Sequence, residues 1–159
     1  MTNIKKKNFF IIKAVLIFSL NILLTFSNNT TAQCGNALRD VVLQEIGEAT
    51  YLKDFRVRLE EGKPKEPPKK EFPILLNKGT HYRFNVKADK ECVDQVIMKL
   101  YDFTKYYGAN YDPDDGTTYE YFDFFCAKTQ VYYVSLSFAE AGKGCAAAIV
   151  SFVENYDAN

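Results

Sequence analysis

Three carboxylates and an amide crowd one short stretch, Asn110-Tyr111-Asp112-Pro113-Asp114-Asp115-Gly116. Hard oxygen ligands at alternating positions are what a calcium ion requires, so Asn110, Asp112, Asp114 and Asp115 are candidate calcium ligands. The spacing is not that of an EF-hand loop: glycine arrives one residue late, and Tyr121 stands where the closing glutamate belongs. The same residue types also dominate ordinary solvated turns for conformational reasons alone. Around this stretch lie Tyr106, Tyr107, Tyr111, Tyr119 and Tyr121, and nine of the eleven tyrosines follow residue 100. Exposed tyrosines beside carboxylates stack on sugar rings and accept hydrogen bonds from their hydroxyls, or anchor a protein partner. These five are the candidate ligand-binding residues, and the competing expectation is that they pack beneath the connection 103–115.

Catalytic chemistry is thinly provided for. His81 is the single histidine, so a Ser-His-Asp, Cys-His or multi-histidine metal centre would have to be built around it. Strand alternation turns His81 outward, which predicts an ordinary surface histidine. The sequence has no glycine-rich phosphate loop and no HExxH. No two carboxylates are placed by their spacing on facing strands as glycosidases need. The chain is therefore expected to be no enzyme and to require no cofactor.

The first residues predict export. Lys5, Lys6 and Lys7 precede an apolar run from Phe9 to Phe26 and a polar stretch ending at Ala32, the three regions of a secretory signal peptide. Lys13 and Asn21 interrupt the run, leaving Ala14 to Leu20, too short for a hydrocarbon core of about 30 Å. Cleavage near Ala32-Gln33 gives a mature chain of residues 33–159 with no membrane span, periplasmic or secreted, and bulky Gln33 argues against lipid attachment at Cys34.

Export also governs the cysteines, because an oxidising compartment favours disulfides. Cys34, Cys92, Cys126 and Cys145 allow three connectivities; Cys126 and Cys145 bracket a single strand and its turn, so they are the expected pair, leaving Cys34 with Cys92. Discarding residues 1–32 removes four lysines and no acid, which leaves 16 basic against 20 acidic side chains. The surplus of base sits in residues 53–90 and that of acid in 91–159. This dipolar distribution is not the basic field that nucleic acid requires.

One domain must position these groups. Ala37, Leu38, Val41, Val42 and Ile46 recur at helical spacing after Asn36, a candidate N-cap, and predict a helix over 36–48. Alternation follows: Phe55, Val57 and Leu59; Phe72 to Leu76; Tyr82, Phe84 and Val86; Val96, Met98 and Leu100; Phe122, Phe124 and Cys126; Tyr132, Val134, Leu136 and Phe138; and finally Cys145 to Val153. The Pro- and Lys-rich segment 62–71 is expected to be an exposed, unpaired connection. About seven strands with one short N-terminal helix predict an all-β, antiparallel, jelly-roll-like β-sandwich.

Tyr82-Arg83-Phe84-Asn85-Val86, Met98-Lys99-Leu100-Tyr101-Asp102 and Lys128-Thr129-Gln130-Val131-Tyr132-Tyr133-Val134-Ser135-Leu136 resemble the bacterial pre-peptidase C-terminal domain, with its Y-x-F, L-Y-D and G-x-Y-Y-x-x-V strands. The resemblance covers about residues 72–153 and departs at Gln130, where glycine is usual. It implies a non-catalytic module that binds matrix or carbohydrate or aids export. The expected function is thus a secreted binding or adhesion module, engaging glycan or an envelope or extracellular protein through its Tyr- and Asp-rich loop end, with calcium as an optional aid. The alternative is a structural or assembly component of the bacterial cell envelope, pairing exposed sheet edges with partner chains.

Overall fold

The structure, a computed structural model, describes residues 34–90, 92 and 94–156. The predicted signal peptide lies outside the described residues. A helix α1 (Asn36–Gln44) is followed by eight strands, β1 (Thr50–Leu59), β2 (Lys69–Leu76), β3 (Thr80–Ala88), β4 (Val96–Tyr101), β5 (Tyr106–Ala109), β6 (Tyr121–Cys126), β7 (Gln130–Phe138) and β8 (Gly144–Asn155). They form two four-stranded antiparallel sheets in the orders β1-β8-β3-β6 and β2-β7-β4-β5. Consecutive strands alternate between the sheets except at the β4–β5 hairpin, which is the jelly-roll connection the sequence predicts.

The interior is made by every second side chain. Tyr82, Phe84 and Val86 of β3 and Ala146, Ala148 and Val150 of β8 face Met98 and Leu100 of β4 and Tyr132, Val134 and Leu136 of β7. β8 reads as an almost unbroken apolar run because it is covered on both faces. Its outward residues Cys145, Ala147 and Ile149 receive Leu38 and Val42 of α1 and Ile46 just beyond its end. Ala147 carries only a methyl group, which lets the helix lie close to the sheet.

Several expectations are corrected. The helix stops at Gln44 rather than residue 48, because the chain turns through Glu45, whose N–H bonds back to Val42, and reverses at Gly47 in the left-handed region (φ 65°). Gly35, not Asn36, occupies the N-cap, and the Asn36 side chain instead accepts a hydrogen bond from Arg56 (2.8 Å). Within the segment 62–71, Lys69, Lys70 and Glu71 pair with Ser137, Leu136 and Ser135 as the start of β2. The prolines that argue against a strand end at Pro68, and Pro73 is accommodated because β2 is an edge strand. β5 was hidden because Gly108 and only four residues carry no readable alternation.

The disulfide joins Cys34 to Cys145, while Cys92 and the buried Cys126 are free thiols. Bracketing one strand is what keeps Cys126 and Cys145 apart. β7 lies between them in sequence and runs the length of the sandwich. Cys126 is level with Thr80, and Thr80 is level with Asn155, ten residues along β8 from Cys145. That is roughly 30 Å at the rise of an extended chain. Cys126 also points inward, whereas Cys145 points out toward the helix.

Candidate functional site

The five tyrosines and four oxygen ligands singled out in the sequence do not come together. Tyr106 and Tyr107 lie at the hairpin end of β4, whereas Asn110 bonds to Val96 and Met98 near its start. The two ends are about 16 Å apart along an extended strand. Tyr107 turns inward, packing edge-on against Phe124 (5.4 Å) and Tyr132 (5.1 Å). Tyr111 bridges to Thr118 in the connection between β5 and β6, and Tyr119 follows it there. Tyr121 sits on the other sheet, its ring 4.3 Å from the guanidinium of Arg83.

Asn110 is 2% exposed and fully committed to backbone. Its Oδ1 accepts from the Met98 N–H (2.7 Å), and its Nδ2 donates to the carbonyls of Val96 and Tyr119 (3.1 Å each). Asp112 and Asp115 hold their own turn, accepting from the N–H groups of Asp114 (2.9 Å) and Thr117 (2.7 Å). Gly116 completes that turn at φ 76°. Asp114 is exposed. Among the described residues no three His, Cys, Asp or Glu side chains converge as a metal site.

What does assemble is an aromatic surface on the outer face of the β2-β7-β4-β5 sheet. Cross-strand partners share a face, and the register places Pro73, Tyr133, Tyr101 and Tyr106 in one row across all four strands. The rings of Tyr101 and Tyr133 stack at 6.0 Å. Phe103, 87% exposed, meets the edge of Tyr133 at 5.1 Å from the β4–β5 turn. One step along the strands, Leu75 pairs with Val131, 63% and 45% exposed. Glu71, Ser135 and Lys99 form the polar row on the other side. The Tyr101 hydroxyl donates to Glu71, which also bridges to Lys69. Burial, with the Glu71 bond second, pushes that hydroxyl's pKa up, so it stays a donor.

Asp102 fixes the turn that carries this surface. One carboxylate oxygen accepts from the Thr104 N–H and hydroxyl and the Lys105 N–H (2.7–2.8 Å); the other accepts from Tyr107 (2.7 Å) and Gln130 (2.6 Å). The Tyr107 hydroxyl foremost, then the Thr104 N–H and hydroxyl and the Lys105 N–H, hold the carboxyl well below the usual range. Tyr107 is therefore a support for the site rather than part of its surface. Sequence reasoning missed Tyr101, Phe103 and Tyr133, although Tyr101 and Tyr133 follow from extending the alternation of β4 and β7 to their outer faces.

His81 is the other correction. It points outward as predicted but is only 7% exposed, stacked on Phe125 at 4.1 Å. Its Nε2 lies 3.3 Å from Asp123 and its Nδ1 3.6 Å from Glu154. Asp123 also takes a bidentate hydrogen bond from Arg83 (2.8 and 3.0 Å), the main cause that holds its carboxyl below its ordinary value. Asp115 is lowered likewise by the Thr117 N–H.

These carboxylates set an acid limit. A group whose folded-state value is depressed stabilises the fold above its unfolded value, and that contribution fades as pH falls through the folded value. The melting temperature is expected to be flat from about pH 7 to 5 and to fall steeply below about pH 4. Asp123→Asn should shrink that fall. Calorimetric scans showing no change down to about pH 2 would contradict it.

No helix among the described residues is long and apolar enough to cross a membrane. No protein-family model matches the chain. No curated protein sequence matches it either. Among solved structures it is similar to PliG of Aeromonas hydrophila, a periplasmic lysozyme inhibitor of g-type lysozyme, at 8% identity over 67% of this chain and 89% of that one, with a TM-score of 0.48.

Proposed function

We infer that this protein is an exported, non-catalytic binding module that takes a glycan on the aromatic face of the β2-β7-β4-β5 sheet. The observation that carries this reading is the row of Tyr133, Tyr101 and Tyr106, with Phe103 projecting beside it from a turn locked by Asp102. Aromatic rings in a row offer apolar contact to successive sugars at little entropic cost, because their side chains are already ordered by one another. Glu71 and the tyrosine hydroxyls along one margin supply acceptors and donors for sugar hydroxyls. The resemblance to the pre-peptidase C-terminal domain supports the same class of function, and the signal-like first 32 residues support export. The binding surface is the sheet face rather than the loop end favoured by the sequence.

The full chain screened on a glycan array is expected to bind at least one oligosaccharide class. Calorimetric titration should then show Tyr101→Ala and Tyr133→Ala each weakening binding on the order of 30-fold, about 2 kcal/mol. Tyr119→Ala and Tyr121→Ala should leave it unchanged. An array without binding, or loss confined to the Tyr119 and Tyr121 variants, would overturn the reading.

A second reading rests on a different observation. An open groove of about 560 Å³ runs between the β1 and β2 edges, lined by Leu52, Leu75, Pro73 and Phe152 among others. Exposed leucines beside two free strand edges suit an extended segment of an envelope partner. That role requires Leu52→Asp to abolish capture of a stoichiometric partner from native envelope.

A further inference from the structure

Charge is unevenly placed around the aromatic face. From residue 91 onward the chain carries eleven acids and only four bases, Lys99, Lys105, Lys128 and Lys143. Three of the four gather at this sheet. Lys99 is exposed in the polar row between Ser135 and Ala109, and it stands two residues before Tyr101 on β4, so both side chains leave the same face. Lys105 belongs to the turn that carries Phe103, its ammonium 5.3 Å from the centre of the Tyr107 ring. Lys128 lies in the β6–β7 turn, beside Gln130, which donates to the same Asp102 carboxylate (2.6 Å). The described acids of this half of the chain are mostly elsewhere: those of the β3–β4, β5–β6 and β7–β8 connections are at the opposite end of the sandwich, and Asp123 and Glu154 are on the other sheet. Two acids do adjoin the face, and both are already engaged. Glu71 is bridged to Lys69 (2.7 Å) and accepts from the Tyr101 hydroxyl, and Asp102 is enclosed by donors of its own turn, Tyr107 and Gln130. Among the described residues Lys99, Lys105 and Lys128 form no ion pair.

We propose that the glycan taken on this face is anionic, with its carboxylate or sulfate groups paired to Lys99 and drawn in by the field of Lys105 and Lys128. The inference rests on the glycan reading above and adds the class of sugar. Neighbouring strands are about 4.8 Å apart, so Tyr133, Tyr101 and Tyr106 span about 10 Å, room for a short run of sugar rings. Lys99 stands about 7 Å along β4 from Tyr101. Its four-carbon stem covers that distance, which lets the ammonium meet an acidic substituent on a sugar held at Tyr101. An ammonium is a compact point charge with three rotatable donors, so it takes carboxylate or sulfate without demanding one fixed geometry. The rest of this half of the chain repels a polyanion, and that confines such a ligand to the one face where base is in surplus. A neutral glycan gains only the apolar and hydrogen-bonding contacts of the row.

The test places oligogalacturonate, oligomannuronate and dextran sulfate on the glycan array, each beside its neutral counterpart: the two carboxyl-reduced oligomers and dextran. The full chain is expected to bind at least one anionic member about 5-fold or more tighter than its counterpart at about 20 mM salt, and the preference should shrink at about 500 mM. Lys99→Gln should weaken binding of that member about 3-fold and leave the neutral counterpart unchanged, whereas Lys99→Arg should retain it. Lys143→Gln makes the same change of net charge at the far end of the sandwich and should alter neither. The carboxylate and sulfate arms identify which anion is preferred, and a preference for either supports the proposal. Binding confined to neutral glycans, charged and neutral counterparts bound equally, or a Lys143→Gln effect as large as that of Lys99→Gln would overturn it and leave the glycan reading standing. An array without any binding, charged or neutral, removes both.

Discussion

Cys145→Ala is expected to cost the domain about 4 to 5 kcal/mol, lowering the melting temperature by roughly 15 °C. Cys34 and Cys145 are 111 residues apart in sequence, so the crosslink closes nearly the whole described chain. The entropy it removes from the unfolded state is correspondingly large. The loss should be concentrated at one place. α1 has nine residues and no side-chain cap, too short to be stable alone, and holds its position through Leu38 and Val42, with Ile46 just past its end, against β8. Removing the staple is therefore expected to release the amide protons of α1 to exchange long before those of β3 and β8. Calorimetry and hydrogen exchange together check this; a change under about 1 kcal/mol, or unaltered protection of α1, would contradict it.

Asn110→Ala is expected to cost about 3 kcal/mol, because it strips partners from the Met98 N–H and the Val96 and Tyr119 carbonyls in a buried setting. Asn110→Asp distinguishes the structural role from calcium ligation. A carboxylate keeps the acceptor for Met98 but has no amide protons, so at neutral pH it directs lone pairs at two carbonyls. The Asp variant should be at least as unstable as the Ala variant at pH 7, with part of the loss recovered on acidification as the carboxyl gains a proton. A calcium ligand would behave in the opposite sense, with Asp strengthening calcium binding and calcium raising the melting temperature. Chemical denaturation with and without calcium separates the two outcomes.

The sandwich was legible because its alternation is strong. Tyr82, Phe84 and Val86, or Tyr132, Val134, Leu136 and Phe138, leave one choice of inner face, and seven such runs without intervening helices leave few topologies. β5 was illegible for the complementary reason, since Tyr106 to Ala109 is short and half-exposed. The site was harder to read than the fold. Asp-rich residues near tyrosines in sequence suggest one surface, but the four-residue strand Tyr106–Ala109 carries the chain from the hairpin end of β4 to its start, so Tyr106 and Asn110 lie apart. Tyr101 and Tyr133 were visible as strand residues, yet their shared row depends on the pairing of β4 with β7, a long-range register that no local pattern encodes. The cysteine pairing failed similarly: closeness in sequence suggested Cys126 with Cys145, whereas a strand of nine residues intervenes and carries the chain across the molecule. His81 was given the right direction and the wrong exposure, because only tertiary packing brings Phe125 over its ring.

Hydroxyl-radical footprinting of the full chain, free and saturated with an oligosaccharide bound on the array, locates the ligand side chain by side chain. Protection is expected at Tyr101, Phe103, Tyr106 and Tyr133, with Tyr119, Tyr121 and Phe125 oxidised equally in both states. Protection confined to Tyr119, Tyr121 or Phe125, or an aromatic row as reactive with ligand as without it, would contradict the account.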